Sequence, residues 1–180
     1  MADNSYLNRW ALWYKKNSHL APYGDTSTYN VGVDFLRGLA VEDWGCGLGW
    51  YKTVHEGPYV GIDGTPSEHA DIVADLREYT SNTPAVWMRH VLEHNPDWRD
   101  ILKNALGSAQ EKIVIIVFTP NGNNEQIDYV KELEVPDIAL PHKEIADEIK
   151  KNGFKLVDQY TISTGSFYKE ETVFLASKNK

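Results

Sequence analysis

The chain has 180 residues, a net charge of −8 and a single cysteine. A chain of this length is a typical size for one domain and buries about 70% of its unfolded surface, so a core needs no disulfide. The negative charge weighs against extended nucleic-acid binding, and no apolar run reaches the ~18 residues that cross a bilayer. Because the N-terminus also lacks the pattern of a signal peptide, we expect a soluble, cytoplasmic protein.

The N-terminal part predicts two helices joined by a turn. Apolar residues recur at helical spacing from Tyr6 to Lys16, and a second helix follows, with Thr28 or Asn30 as its cap. Between the helices, Pro22-Tyr23-Gly24-Asp25 is a turn sequence.

From residue 40 onward, short apolar runs alternate with helical patterns. Helices are predicted over 97–109 and over 141–152, the second one stopped by Gly153. The strand candidates are Ala40 to Trp44, Tyr59 to Ile62, Ile72 to Ala74, Ala85 to Arg89 and Ile113 to Phe118, followed by a hairpin of Phe154 to Thr161 and Thr172 to Ala176.

The run from Ile113 to Phe118 is continuously apolar, which is typical of a strand covered by helices on both faces. We therefore predict an α/β fold, a Rossmann-like three-layer sandwich with a seven-stranded, mostly parallel sheet and a C-terminal antiparallel hairpin. The whole chain, 1–180, is predicted to be a single domain.

An acid followed by glycines at every second position predicts a ligand-binding loop after the first strand. The segment is Asp43-Trp44-Gly45-Cys46-Gly47-Leu48-Gly49, and Asp63 ends the next apolar run twenty residues after Asp43. Glycine lets the backbone pass close to a ligand, and an acid after the next strand accepts both ribose hydroxyls. Trp50 stands where a dinucleotide motif needs its third glycine, and the loop lacks the Gly-Lys-Ser/Thr of a P-loop. The loop therefore suits a nucleoside without phosphates.

These residues resemble the motifs of the class I S-adenosylmethionine-dependent methyltransferases, and the resemblance runs from about Phe35 to the C-terminus. It implies S-adenosyl-L-methionine as the cofactor, Asp63 as the ribose-binding acid and Asp75 as the acid near the adenine. The segment Arg89 to His94 is similar to the stretch after the fourth strand in this family. The implied cofactor-binding residues are Asp43, Gly45, Cys46, Gly47, Gly49, Asp63, Gly64, Asp75, Leu76 and His90. Because only 13 residues separate Gly49 from Asp63, the first helix of the core must be short.

A base is predicted in the segment after the fourth strand. Methyl transfer from a sulfonium is an in-line displacement, and positioning supplies much of its acceleration. A neutral amine or hydroxyl acceptor also needs a base, for which the catalytic candidates are His90, Glu93 and His94. His90 is the first choice because histidine titrates near neutrality. The alternative is that Glu93 and His94 only cap and orient the helix that starts near Pro96.

The N-terminal aromatic residues have two interpretations. They either cover one face of the sheet or belong to the lid that the N-terminal segment usually forms in this family, where aromatic faces attract the sulfonium. We predict a helical lid over 1–34 in front of a cofactor-binding core over 35–180. The predicted substrate and lid residues are Tyr14, Tyr23, Asp25, Thr119 and Asn121.

A metal site is the weaker interpretation of the same histidines. His90 and His94 have the spacing of zinc ligands on a helix, with His142 as a third. The pair straddles a strand end and a turn, so its members need not share a face, and we predict no metal.

The lack of an inserted recognition domain implies a small molecule, a compact group on a partner protein or a partner-assisted substrate. The predicted function is a methyltransferase for a small-molecule acceptor. A catalytically inactive cofactor-binding partner or regulatory subunit and a nucleic-acid methyltransferase stay open as alternatives. The sequence does not identify the acceptor.

Overall fold

The computed structural model describes residues 5–17, 26–122, 127–130, 135–165 and 168–178. Within this part of the chain, no helix has the length and apolar character needed to cross a membrane. The elements in chain order are α1 (Ser5–Lys16), α2 (Ser27–Leu36), β1 (Val41–Trp44), α3 (Trp50–Val54), β2 (Tyr59–Asp63), β3 (Ile72–Val73), β4 (Thr83–Arg89), a 3₁₀ turn (Leu92–His94), α4 (Trp98–Ser108), β5 (Ala109–Val117), β6 (Ile127–Val130), β7 (Val135–Ile138), α5 (His142–Lys151), β8 (Phe154–Ser163) and β9 (Glu170–Lys178).

Seven strands form one sheet in the order β3-β2-β1-β4-β5-β9-β8. The strands from β3 to β5 pair in parallel, whereas β9 runs antiparallel to both β5 and β8. The predicted fold class is therefore confirmed. The strand order reverses at β1, which lies between β2 and β4, and ligands of such sheets collect at the carboxyl ends of the strands beside this reversal.

Helices cover both faces of the sheet. On one face, α2 and α3 enclose a core in which the rings of Tyr51 and Trp87 stack with centroids 4.1 Å apart. On the other face, α4 and α5 enclose the larger core. Strand β5 contributes to both cores, since Ile113, Ile115 and Val117 belong to the larger one and Val114 and Ile116 to the smaller one. The prediction that this strand is central is confirmed.

Two local features that the sequence predicts are present in the structure. Gly153 has φ +82° after α5, and α3 has only five residues, as the short connection to Asp63 requires. The predicted cap of α2 is wrong, because the helix begins at Ser27 with Thr26 at its N-cap. The buried hydroxyl of Thr28 instead donates to Glu171 Oε2 at 2.6 Å.

A second, two-stranded sheet was not predicted. Strand β6 pairs antiparallel with β7 in the connection between β5 and α5. Pro136 and Asp137 lie inside β7, and neither residue type favours a strand, so the apolar pattern there is too weak to indicate one.

Candidate active site

The loop after β1 has the backbone that its glycines allow. Gly45, Gly47 and Gly49 have φ of +76°, +53° and +69°, in the left-handed region that side chains with a Cβ rarely adopt. A Cβ on Gly45 would also lie 2.4 Å from Val91 Cγ2, in the segment after β4. The N–H groups of Gly45 and Cys46 both donate to the carbonyl of Ile62, at 2.7 and 3.1 Å, which ties the loop to the end of β2.

Asp63 ends β2 directly beneath this loop and is almost fully buried. Its Oδ2 accepts from the Gly47 N–H at 3.0 Å and from the Tyr14 hydroxyl at 3.5 Å, and its Oδ1 accepts from the Thr65 N–H at 2.8 Å. Burial raises the pKa of Asp63 to about 6, although these hydrogen bonds act in the opposite direction. The glycine motif and Asp63 therefore meet at one place.

Asp43 is a second buried acid behind the same loop. Its Oδ2 accepts from the Tyr59 hydroxyl at 2.8 Å, a contact that the sequence did not reveal. Burial raises the pKa of Asp43 to about 7; the Tyr59 bond lowers it, and the charge of Asp63 raises it further. A positively charged ligand near these two buried carboxyls would stabilise their ionised forms, so the pair favours such a ligand.

The bulky residues of the motif contact the cores. Trp44 is fully buried and its Nε1 donates to Glu42 Oε2 at 3.0 Å. Trp50 meets Tyr29 edge to face, with ring centroids 6.5 Å apart. The Cys46 thiol, also buried, lies 3.6 Å from the His69 carbonyl oxygen.

Asp75, Leu76 and Gly64 also lie near the carboxyl ends of β2 and β3. Asp75 accepts from the Arg77 N–H at 3.0 Å and from Arg77 Nε at 2.8 Å, and the Arg77 side-chain bond lowers its pKa. Leu76 is buried in the larger core, and a Cβ on Gly64 would lie 3.2 Å from Leu7 of α1. A contact between Asp75 and an adenine stays a prediction.

A buried polar cluster follows β4 on the other side of the strand reversal. Arg89 pairs with Glu171 Oε1 through Nη2 at 2.8 Å, and His90 Nε2 lies 3.2 Å from the same oxygen. His90 has φ +57°, and burial together with the charge of Arg89 lowers its pKa to about 4. Glu171 stands 82 residues beyond Arg89, so no local pattern pointed to it.

Glu93 and His94 lie in the 3₁₀ turn after β4 and are buried. Glu93 Oε1 accepts from the Phe118 N–H at 2.5 Å, its Oε2 has no hydrogen-bond partner in the described part of the chain, and burial raises its pKa to about 7. His94 Nδ1 lies 2.9 Å from the Pro136 carbonyl oxygen and 3.2 Å from Asp137 Oδ1. Neither residue of β7 was identified from the sequence.

Helix α1 covers the site from Asp63 to His94. The Trp10 ring meets the His94 ring edge to face at 5.1 Å and stacks on Tyr14 at 5.9 Å, and Tyr14 reaches Asp63. The Thr65 hydroxyl donates to the Leu7 carbonyl at 3.3 Å, which fixes the first turns of the helix beside β2.

The remaining predicted residues are placed as follows. Thr119 is buried, and its hydroxyl has no hydrogen-bond partner among the described residues. Asn121 is exposed, and its Oδ1 accepts from the His142 N–H at 3.0 Å at the start of α5. Tyr23 and Asp25 lie outside the described residues. The described residues contain no group of three His, Cys, Asp or Glu side chains arranged to hold a metal ion.

No protein-family model matches the chain, and no curated protein is detectably similar to it in sequence. Solved structures do match. Magnesium protoporphyrin IX methyltransferase from Synechocystis PCC 6803, with bound SAH, is 13% identical and has a TM-score of 0.66, with 98% of this chain and 96% of that chain covered. A chain of the complex between the Haloferax volcanii Trm112 methyltransferase activator and a protein assigned as a methyltransferase is 12% identical with a TM-score of 0.67, covering 99% and 98%.

A third similar structure is the [4+2]-cyclase SpnF, at 11% identity and a TM-score of 0.65, with 96% of this chain and 92% of that chain covered. At these identities the likeness establishes the fold and leaves the activity to the residues of the site. The chain therefore has the Rossmann-like fold of the class I S-adenosylmethionine-dependent methyltransferases.

Proposed function

We propose that this protein binds S-adenosyl-L-methionine and transfers its methyl group to a small polar acceptor. The observation that carries the proposal is the contact between the left-handed glycine loop and Asp63 at the carboxyl ends of β1 and β2. This is the place in an open parallel sheet where a nucleoside binds.

The charges of the site favour this cofactor over a dinucleotide. Asp43 and Asp63 are both buried, and the charge of Asp63 raises the cost of ionising Asp43. A cation bound between these carboxyls and the solvent favours their ionised forms. The proposed cofactor carries a sulfonium and an ammonium group, whereas a dinucleotide would bring the negative charge of a pyrophosphate. The Synechocystis methyltransferase with bound SAH supports the same choice.

The ribose position follows from Asp63. Its Oδ2 accepts from the Tyr14 hydroxyl at 3.5 Å, which is a long hydrogen bond that a ribose hydroxyl replaces at little cost. Cofactor binding therefore displaces the Tyr14 hydroxyl from Asp63, and helix α1 closes over the bound cofactor.

The acceptor side lies at the ends of β4 and β5. Phe118 stands between the two histidines, with ring centroids 4.8 Å from His90 and 5.3 Å from His94. The positive charge of Arg89 nearby is neutralised by Glu171, so this region does not attract a phosphate backbone. A small acceptor with an amine or hydroxyl suits these surroundings.

A second candidate is a cofactor-binding subunit without methyltransferase activity of its own. Two of the similar structures favour this second candidate: a cyclase, and a chain from a complex with a methyltransferase activator. They show that this fold occurs in a protein named for another reaction and in one that binds an activator protein. Incubation with methyl-labelled S-adenosylmethionine and a metabolite extract separates the candidates: label in a small molecule supports the enzyme, and cofactor binding without any transfer supports the subunit.

Cofactor binding itself is tested at Asp63. Removing its carboxylate in Asp63→Ala deletes charge-assisted hydrogen bonds worth roughly 1.5–3 kcal/mol, so S-adenosylhomocysteine should bind about 10- to 150-fold more weakly in calorimetry. The matched control is Asp147→Ala, an exposed acid of α5 paired with Lys143. Equal affinity of wild type and Asp63→Ala, or tighter binding of NAD than of S-adenosylhomocysteine, would overturn the proposal.

A further inference from the structure

His94 is held by a contact that determines its tautomer. Its Nδ1 lies 2.9 Å from the Pro136 carbonyl oxygen. A carbonyl oxygen only accepts, so Nδ1 must carry the proton. In the neutral ring, Nε2 is then left with the lone pair that accepts a proton from another group.

Asp137 adds a charge to this arrangement. Its Oδ1 lies 3.2 Å from the same Nδ1, and both side chains are at least nine-tenths buried. A buried carboxylate beside the protonated nitrogen fixes the ring and stabilises the imidazolium that forms when Nε2 takes up a proton, as in other carboxylate–histidine pairs.

The ring lies at the site and not in the interior of the core. Trp10 covers it at 5.1 Å, and Trp10 belongs to the same helix as Tyr14, which reaches Asp63. The helix that reaches Asp63, where the cofactor ribose is proposed to bind, therefore also borders His94. The His94 ring also borders the Phe118 ring, with centroids 5.3 Å apart.

On the basis of the proposed function, we propose that Asp137 is a positioning residue and that the His94–Asp137 pair supplies the base of the methyl transfer. The acceptor lone pair forms the bond to the methyl carbon while the carbon–sulfur bond breaks and its electron pair stays on sulfur. The proton released by the acceptor goes to His94 Nε2.

The surroundings of the two histidines favour His94 over His90 for this role. Burial lowers the pKa of His94, but the Asp137 hydrogen bond and the charge of Glu93 outweigh it and leave the pKa raised. The pKa of His90 is lowered to about 4, so His90 is a weak base near neutrality. Among the described residues, the titratable groups that act on His94 are Glu93 of its own turn, Asp137 of β7 and His90 after β4. The rings of Trp10 and Phe118 also border it.

The test measures the ring before any activity. In the wild-type protein, ¹⁵N chemical shifts of the histidine rings, with His94 assigned by the signal lost in His94→Gln, should show the neutral ring protonated at Nδ1. A neutral ring protonated at Nε2 would overturn the proposal. This measurement needs no acceptor and no further variant.

Asp137→Asn keeps the shape of the side chain and removes its charge. The pKa of His94 should then fall, and the rate of label transfer should drop about 10²-fold. Because the base then loses its proton at a lower pH, the rise of the transfer rate with pH should also move to lower pH. Tyr168→Phe is the control, because it removes a hydroxyl that donates to Asp137 Oδ2 at 3.4 Å and leaves the carboxylate, so the pKa of His94 should stay raised.

Two outcomes separate this proposal from the proposed function. If wild type binds S-adenosylhomocysteine and transfers label, and Asp137→Asn transfers it equally with an unchanged His94 pKa, the pair is not the base and the methyltransferase stands. A wild-type protein that binds no S-adenosylhomocysteine contradicts the proposed function, and with it the role of the pair in methyl transfer.

Discussion

At Gly45, both the backbone conformation and the lack of room for a side chain require glycine. Its φ is +76°, and a Cβ would lie 2.4 Å from Val91 Cγ2. Gly38 has the same φ but no atom within 4 Å of the position of a Cβ. The two glycines therefore differ only in whether a side chain has room.

We expect Gly38→Ala to lower the free energy of unfolding by about 1–2 kcal/mol, because alanine is strained at this φ. Gly45→Ala should lower it by a further ~1–3 kcal/mol through the clash with Val91 and should weaken S-adenosylhomocysteine binding. Urea titrations and calorimetry of the two variants provide the measurement. Adding Val91→Ala to Gly45→Ala should recover part of the loss; equal losses in the two single variants would show that the contact with Val91 has no energetic effect.

Site residues that lie in a recognisable order along the chain could be predicted from the sequence. Their partners that are distant in sequence and meet only in the folded chain could not. Asp43, the glycines and Asp63 stand in a fixed order around two consecutive strands, and the structure brings them together. Pro136 lies 42 residues from His94, and Glu171 lies 82 residues from Arg89. Such partners become visible only once the strands are placed side by side.

Among the elements, helix α1 has two alternative roles: it is either a lid over the site or a fixed part of the core. Its contacts with the core include a long hydrogen bond from Tyr14 to Asp63, the bond from Thr65 to the Leu7 carbonyl, and the edge of Trp10 on His94. All three lie at the site, which is what a lid requires.

Amide hydrogen exchange tests whether α1 is a lid. In the free protein, residues 5–17 should exchange faster than β5, and S-adenosylhomocysteine should slow them, because a lid closes on its ligand. The amides of β5 and of α5 serve as internal references, since neither element contacts Asp63. If α1 is as protected as β5 without ligand, the helix is part of the core and Tyr14 should be withdrawn as a lid residue.

Elements were predictable where burial leaves a clear pattern. Strand β5 was recognised from its apolar run, but it begins at Ala109, where exposed and half-buried polar residues hide the extended chain. The β6–β7 hairpin was missed for a related reason, because Pro136 and Asp137 lie within β7 and weaken its strand pattern.

For the molecule as a whole, the buried acid Glu93 links stability to pH. Glu93 is fully buried, and its pKa is raised to about 7 from its ordinary value of 4.5. Below pH 4.5 the side chain is protonated in both the folded and the unfolded chain. Between 4.5 and about 7 the unfolded chain releases a proton that the folded chain retains, so this group destabilises the fold progressively as the pH rises.

Glu93→Gln removes this titration and keeps a carbonyl oxygen that can accept from the Phe118 N–H. The free energy of unfolding of the variant, relative to wild type, should therefore increase by up to about 3 kcal/mol between pH 4.5 and 8, as measured by urea titration at each pH. Groups that do not interact with Glu93, such as Asp43 and His90, cancel in this difference. The control Glu144→Gln should change in the opposite direction and by less, because the hydrogen bond from Arg99 lowers the pKa of this largely exposed acid. A difference between Glu93→Gln and wild type that is independent of pH would mean that Glu93 ionises in the fold as it does in water, and that its charge is available to raise the pKa of His94 throughout this range.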